Sequence, residues 1–312
     1  MKEKLKLALK DKDFSELLRG SGFSFFLRFG GLSAGYLLTL IIAHLFGADG
    51  LGDYVLAITV LRLFTLLSKL GLDTTSIRFL ASFTSQNKWK SILKFRRKVV
   101  FILIISSLLF SFLMYVLAQP ISDLINTKVE YIKLNAFFVL PMSFFMLHYQ
   151  SLRGLKRIAE FSFFYRMSQS LFTIIFILII YQFIQDDEVP IYAYLVSLLV
   201  VSILAFLSIR YNLNKKSFGK ENAELEILNY SQILKISIPL MFAQSVQFIM
   251  AWTDKLMLGS MKTTVDVGIY HTAFKLSMFA AVALMSVNSI ASPKFAEMFA
   301  KKDILGLKKV VH

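Results

Sequence analysis

The chain has 312 residues, 56% of them hydrophobic, with 31 phenylalanines, a mean hydropathy of +0.63 and a formal net charge of +15. That balance excludes an ordinary soluble domain, and because the basic excess flanks apolar stretches instead of gathering on one polar surface, it also excludes a nucleic-acid partner. The lack of cysteine rules out disulfides and thiolate metal sites, and the scatter of His44, His148, His271 and His312 predicts no bound metal and no cofactor.

Residues 1–20 interleave Lys2, Lys4, Lys6, Lys10 and Lys12 with leucines, the pattern of a cytoplasmic amphipathic segment lying at a membrane interface. Eight apolar stretches follow, at about 23–46, 52–76, 98–118, 131–151, 160–184, 190–210, 232–258 and 267–290, each long enough to cross roughly 30 Å of hydrocarbon as a helix. The first carries Gly31-x-x-x-Gly35, a pair that admits close approach by another helix. Pro141 and Pro239 are candidate kinks in the fourth and seventh. The predicted fold class is all-α: a polytopic helical membrane protein of about eight transmembrane helices. A first six-helix bundle occupies 21–215, a cytoplasmic linker 216–230, and the first two helices of a second bundle with a cytoplasmic tail 231–312.

The connections divide sharply by charge. Those at 47–51, 119–130, 185–189 and 259–266 hold only Lys128 and Lys262, while the alternate ones, beginning with the N-terminal segment, hold 25 basic residues. This asymmetry predicts a cytoplasmic N-terminus in the inner membrane and anionic phospholipid headgroups as neighbours. Eight basic residues remain in or at the ends of the stretches: Arg28, Arg62, Lys69, Lys133, Arg166, Lys235, Lys255 and Lys275.

Depth, at about 1.5 Å per residue, sorts these eight. Arg62 lies some ten residues, roughly 15 Å, inside the second stretch, where a lipid-facing arginine costs about 2.5 to 3.5 kcal/mol; it must face a wet cavity or a partner on a neighbouring helix. Lys275 is comparably deep, with His271 one turn before it. Arg166 shares a helical face with Gln169, Ser170 and Thr173. Arg28 and Lys69 are near enough to the cytoplasmic surface to reach headgroups, and Lys133, Lys235 and Lys255 are read as rim residues. Asp254, on a stripe with Gln244 and Gln247, is expected either to hold a coupling ion or proton or to form an interfacial salt bridge, with Lys275 as a partner across the hairpin.

An internal repeat appears at an offset of 216 residues, where Gly52-Asp53-Tyr54 and Ala57 recur as Gly268-Ile269-Tyr270 and Ala273. Six helices separate the copies, an even number, so the halves are parallel repeats related about the membrane normal. No Gly-rich phosphate loop, nucleophile elbow or HExxH motif occurs, which argues against an enzyme and against ATP-driven transport within this chain.

Several local patterns carry a resemblance. They are Ile42-Ala43-His44-Leu45-Phe46-Gly47 leading into Gly52-Asp53-Tyr54, Leu70-Gly71-Leu72 before Arg78, Leu152-Arg153-Gly154, Ile238-Pro239-Leu240, Asp254-Lys255-Leu256-Met257-Leu258-Gly259, Gly268-Ile269-Tyr270 and Ser292-Pro293. In order and spacing the chain resembles the multidrug/oligosaccharidyl-lipid/polysaccharide exporter superfamily, in its O-antigen-type polysaccharide flippase branch. His44 stands where such proteins often carry arginine, and eight helices stand where they usually have twelve to fourteen, so the chain is expected to be a truncated member.

The resemblance implies two helix bundles around a cavity that opens alternately to either side and passes a polyprenyl-diphosphate-linked oligosaccharide outward. Arg62, Arg166, Lys275 and Arg28 would then bind the substrate diphosphate, with a polysaccharide polymerase or glycosyltransferases as protein partners. A multidrug antiporter of the same superfamily is the first alternative, and acidic cavity residues would mark it. A non-transporting scaffold or a glycan-modifying membrane enzyme is the second.

Overall fold

The computed structural model describes the chain over residues 12–217 and 226–280. Residues 1–11 of the amphipathic segment, most of the linker, the end of the eighth stretch, Ser292-Pro293 and the tail lie outside the described residues.

Helix α1 (Lys12–Ser68) is broken at Gly47, whose φ of 71° and ψ of −177° leave helical space for a region that glycine enters without steric cost. Gly31, Gly35 and Leu38 before the break and Val55, Ile58 and Arg62 after it line one cavity, so the two arms run antiparallel as the first two expected crossings. The second arm ends at Ser68, short of the expected 76, because Leu70 and Gly71 both take left-handed φ values of 47° and 72°. Helix α2 (Leu72–Ser85) begins anew from that turn.

Helix α3 (Trp89–Val116) starts well before the expected 98, which moves Lys90, Lys94, Arg96, Arg97 and Lys98 out of a connection and into its first turns. A short helix α4 (Ala118–Ile125) fills part of the next connection. The fourth stretch is two helices, α5 (Val129–Ala136) and α6 (Val139–Gly154), bent by 54°. Pro141 sits in the first turn of α6, where a missing N–H leaves no helical bond unmade, so the break falls just before it. Pro239 lies inside a single helix, α10 (Tyr230–Met261), and there deprives the carbonyl of Lys235 of its helical partner.

The fifth stretch joins α7 (Ile158–Phe163) to α8 (Gln169–Ile180) through a π-helical turn (Phe164–Ser168). Helix α9 (Val189–Ser217) is the sixth, and residues 264–280 form α11. Among the described residues five helices are long and apolar enough to span a membrane, or six with the bent α5–α6 pair counted as one span, and the first of them contains both arms of α1.

Packing shows which faces meet lipid. On α3, Phe95, Val99, Leu103 and Met114 are buried, whereas Phe101, Ile105, Leu108, Leu109 and Phe112 are 55–67% exposed. A continuous apolar outer face of this kind is compatible with hydrocarbon and not with water. Because apolar side chains gain little from leaving lipid for a helix interface, polar ties matter more there. Asn135 donates to the Ala57 carbonyl at 3.0 Å, Ser111 donates to the Ala136 carbonyl at 2.7 Å, and the Ser68 and Ser143 hydroxyls lie 2.7 Å apart.

Two glycine contacts position the bundle. A Cβ on Gly31 would fall 2.6 Å from the carbonyl oxygen of Arg166, so the small-residue face of α1 packs within the chain, against the π turn. At the other end of the bundle a Cβ on Gly52 would fall 1.9 Å from the carbonyl oxygen of Thr264, and one on Gly268 would fall 2.1 Å from that of Ala48. Each of these contacts maps onto the other by the 216-residue offset, the reciprocity of an isologous interface formed inside one chain.

Candidate substrate cavity

Two adjoining cavities, of about 400 and 660 Å³, occupy the centre of the bundle. They share a waist formed by Arg62, Tyr165, Arg166, Gln169, Tyr194 and Trp252. The smaller extends to Arg28, His271 and Lys275, and the larger to Lys69, Asp73, Arg153 and Gln244.

The waist follows from local structure. The π turn shifts the register of the fifth stretch by one residue, which brings both Tyr165 and Arg166 to the cavity wall. Part of the expected polar stripe is committed elsewhere: Gln169 donates to the Ser197 hydroxyl at 2.7 Å and to the Tyr194 carbonyl at 3.2 Å, and Thr173 pairs with Ser197 at 2.8 Å. Ser170 and the remainder of Gln169 still face the cavity.

Arg28, Arg62, Arg166 and Lys275, far apart in sequence, therefore line one space. The Arg62 guanidinium lies 4.9 Å from the Trp252 ring centroid, and its Nε is buried without a hydrogen-bond partner, as is that of Arg166. Lys275 feels Arg62 and Lys255 as like charges, and Arg166 feels Arg28 in the same way. Among the described residues none of Arg62, Arg166 and Lys275 forms a salt bridge. A cluster of cations walled by Tyr54, Tyr194 and Trp252, with no carboxylate among the described residues that line the smaller cavity, is complementary to an anion. Among the described residues no group of His, Asp and Glu could hold a metal ion.

Other charges fall differently from their sequence expectation. Asp254 accepts from the Tyr270 hydroxyl at 2.5 Å and lies 3.3 Å from the Lys255 ammonium, not against Lys275. Lys255 is not a rim residue: it is 1% exposed, with its Nζ 4.1 Å from the Phe274 ring centroid, 5.0 Å from Trp252 and 5.8 Å from Tyr270. Lys69 does not reach outward to headgroups but pairs with Asp73 at 2.6 Å inside the larger cavity, where Gln244 also donates to Asp73 at 3.3 Å and to Thr74. His148 is buried and His271 lines the cavity, whereas His44 is exposed. Lys69 and Asp73, spaced i and i+4, are the missed pair that sequence could have offered, through that spacing alone.

The chain matches the family model described as "Polysaccharide biosynthesis protein" over residues 17–299. No curated protein matches it. It is similar to a solved structure named "protein A", with a TM-score of 0.57 and 16% sequence identity, over 85% of this chain and 62% of that one. The likeness is one of fold, and this chain spans less than two thirds of that structure's length. With apolar outer faces, membrane-length helices and a family match along nearly its whole length, the chain is a multi-pass membrane protein and belongs to the polysaccharide biosynthesis protein family.

Proposed function

We propose that this chain carries the transport cavity of a flippase, which moves a polyprenyl-diphosphate-linked oligosaccharide across the cytoplasmic membrane by alternating access during polysaccharide or O-antigen export. The observation that carries the reading is the set of cavity cations, Arg62, Arg166 and Lys275, with no salt bridge among the described residues. Charges confined together away from bulk water repel one another and are costly unless an anion joins them. A diphosphate supplies that anion, and arginine forks match its oxygens in pairs.

The basic connections then face the cytoplasm, with the N-terminus. Substrate enters from that side, its diphosphate held at the waist by Arg62 and Arg166 and drawn onward by Lys275, with Arg28 at the margin. The prenyl tail remains in lipid, so the protein shelters only the charged and sugar portions. Polymerase and glycosyltransferase partners would supply and consume the lipid-linked glycan on the two faces.

Replacing Arg62 and Lys275 together by alanine in the chromosomal copy should abolish glycan export while membrane insertion, checked by immunoblot of washed membranes, stays normal. Export at the parental rate would sink the assignment.

A further inference from the structure

Helix α6 has two chemically different faces. Met142, Phe145 and Tyr149 turn to the central cavity, while Pro141, Phe144 and His148 line a separate lateral groove of about 400 Å³ between α3, α6 and α9. The outer wall of the groove is apolar, and Leu199, Ile203 and Phe206 of α9 are 40–58% exposed along it. This face opens outward, on the side of α6 away from the transport cavity.

Two polar groups stand at one end of the groove. The His148 ring is 4% exposed, lies 5.7 Å from Phe144 and 5.5 Å from Phe206, and its Nδ1 has no hydrogen-bond partner. Arg96, beside it, forms no salt bridge among the described residues. Arg96 is seven residues from Trp89 and His148 six from Gly154, so both lie roughly 10 Å inside the same end of the bundle, the end with the basic connections. Leu140 is eight residues, roughly 12 Å, deeper along the groove.

The occupant must therefore satisfy a cation and an unpaired imidazole at one level and an apolar trough below them. A purely apolar chain would leave Arg96 and His148 without partners, and a small soluble anion would leave the trough bare. We infer that the groove binds an anionic phospholipid, with the headgroup phosphate on Arg96 and the His148 imidazole and one acyl chain laid along Leu140, Leu199 and Ile203. A bilayer phospholipid fits this position better than the transported lipid, because α6 separates the groove from the central cavity. The site stands independently of the proposed transport reaction.

Native mass spectrometry of the purified protein in detergent, titrated with phosphatidylglycerol, phosphatidylcholine or polyprenyl phosphate, tests the site. Phosphatidylglycerol should be retained in preference to phosphatidylcholine. Arg96→Gln should weaken its retention about tenfold, the loss of one hydrogen bond to a charged group. Ile203→Trp, which fills the trough and spares the cation, should weaken it as well, while Lys133→Gln on an exposed face should not. Thermal melting of each variant confirms that it is folded. Retention unchanged in both groove variants, or equal for the two phospholipids, overturns the proposal. So does displacement of phosphatidylglycerol by inorganic phosphate alone, or stronger retention of polyprenyl phosphate with the same dependence on Arg96 and Ile203.

Discussion

Lys255 shows how far one side chain's environment can depart from its place in the sequence. Near the end of α10 it is positioned to reach water, yet three rings and Asp254 enclose its ammonium instead. Cation–π attraction grows when the cation is stripped of water, so the cage stabilises the charge where it sits. Lys255→Met keeps roughly the same volume and loses that attraction, and should lower stability in detergent by about 2 kcal/mol in a denaturant titration; Lys133→Met, on an exposed position, should shift it by less than about 0.5 kcal/mol. Equal shifts would mean that the cage contributes nothing. Depth was legible in the sequence for Arg62 and Lys275, because burial of a charge in a mid-helix position has few solutions. For Lys69, Lys255 and Arg96 it was not, since a residue one or two turns from a helix end can point outward or inward at similar cost. The left-handed turn at Leu70 and Gly71 and the early start of α3 at Trp89 decided two of those cases.

At the scale of elements, the stretches were readable from their length and apolarity, and the breaks within them were not. Hydropathy carries no signal for the bend between α5 and α6 or for the π turn before Gln169, because both keep apolar composition while changing backbone hydrogen bonding. Gly52 and Gly268 were picked out by the repeat, and the structure adds what they do. Gly52→Ala or Gly268→Ala must push the second arm of α1 away from α11, at a cost of about 1 to 3 kcal/mol each. Once either change has separated the helices, the other meets less resistance, so the double variant should cost less than the sum of the two. A thermodynamic cycle measured in detergent checks this, and strict additivity would show that the two contacts are independent.

For the whole molecule, contacts on both sides of the cavity waist tie α10 and α11 to the first bundle. At one end the Thr264 hydroxyl donates to Asp49 and Asn126 donates to the Gly259 carbonyl at 3.0 Å; on the other side of the waist, at the wall of the larger cavity, Gln244 donates to Asp73 and Thr74. If substrate passes through, each side must part in turn. The sequence contains no cysteine, so introduced pairs are the only thiols present. Asp49→Cys with Thr264→Cys, and separately Thr74→Cys with Gln244→Cys, should each halt export on cross-linking with a short bifunctional thiol reagent and leave it intact in the uncross-linked single variants. Continued export with either pair fully cross-linked, as read from a gel, would rule out opening on that side.

The reciprocal crossing at Gly52 and Gly268 also decides which positions around it can vary. A contact that exchanges onto itself under the 216-residue offset places the same demand on both of its glycines, because a Cβ on either would meet backbone. What touches each glycine there is a backbone carbonyl, that of Thr264 or of Ala48. The crossing therefore makes no demand on the side chains at those two places, and Thr264 can use its hydroxyl on Asp49, while neither glycine has room for a Cβ.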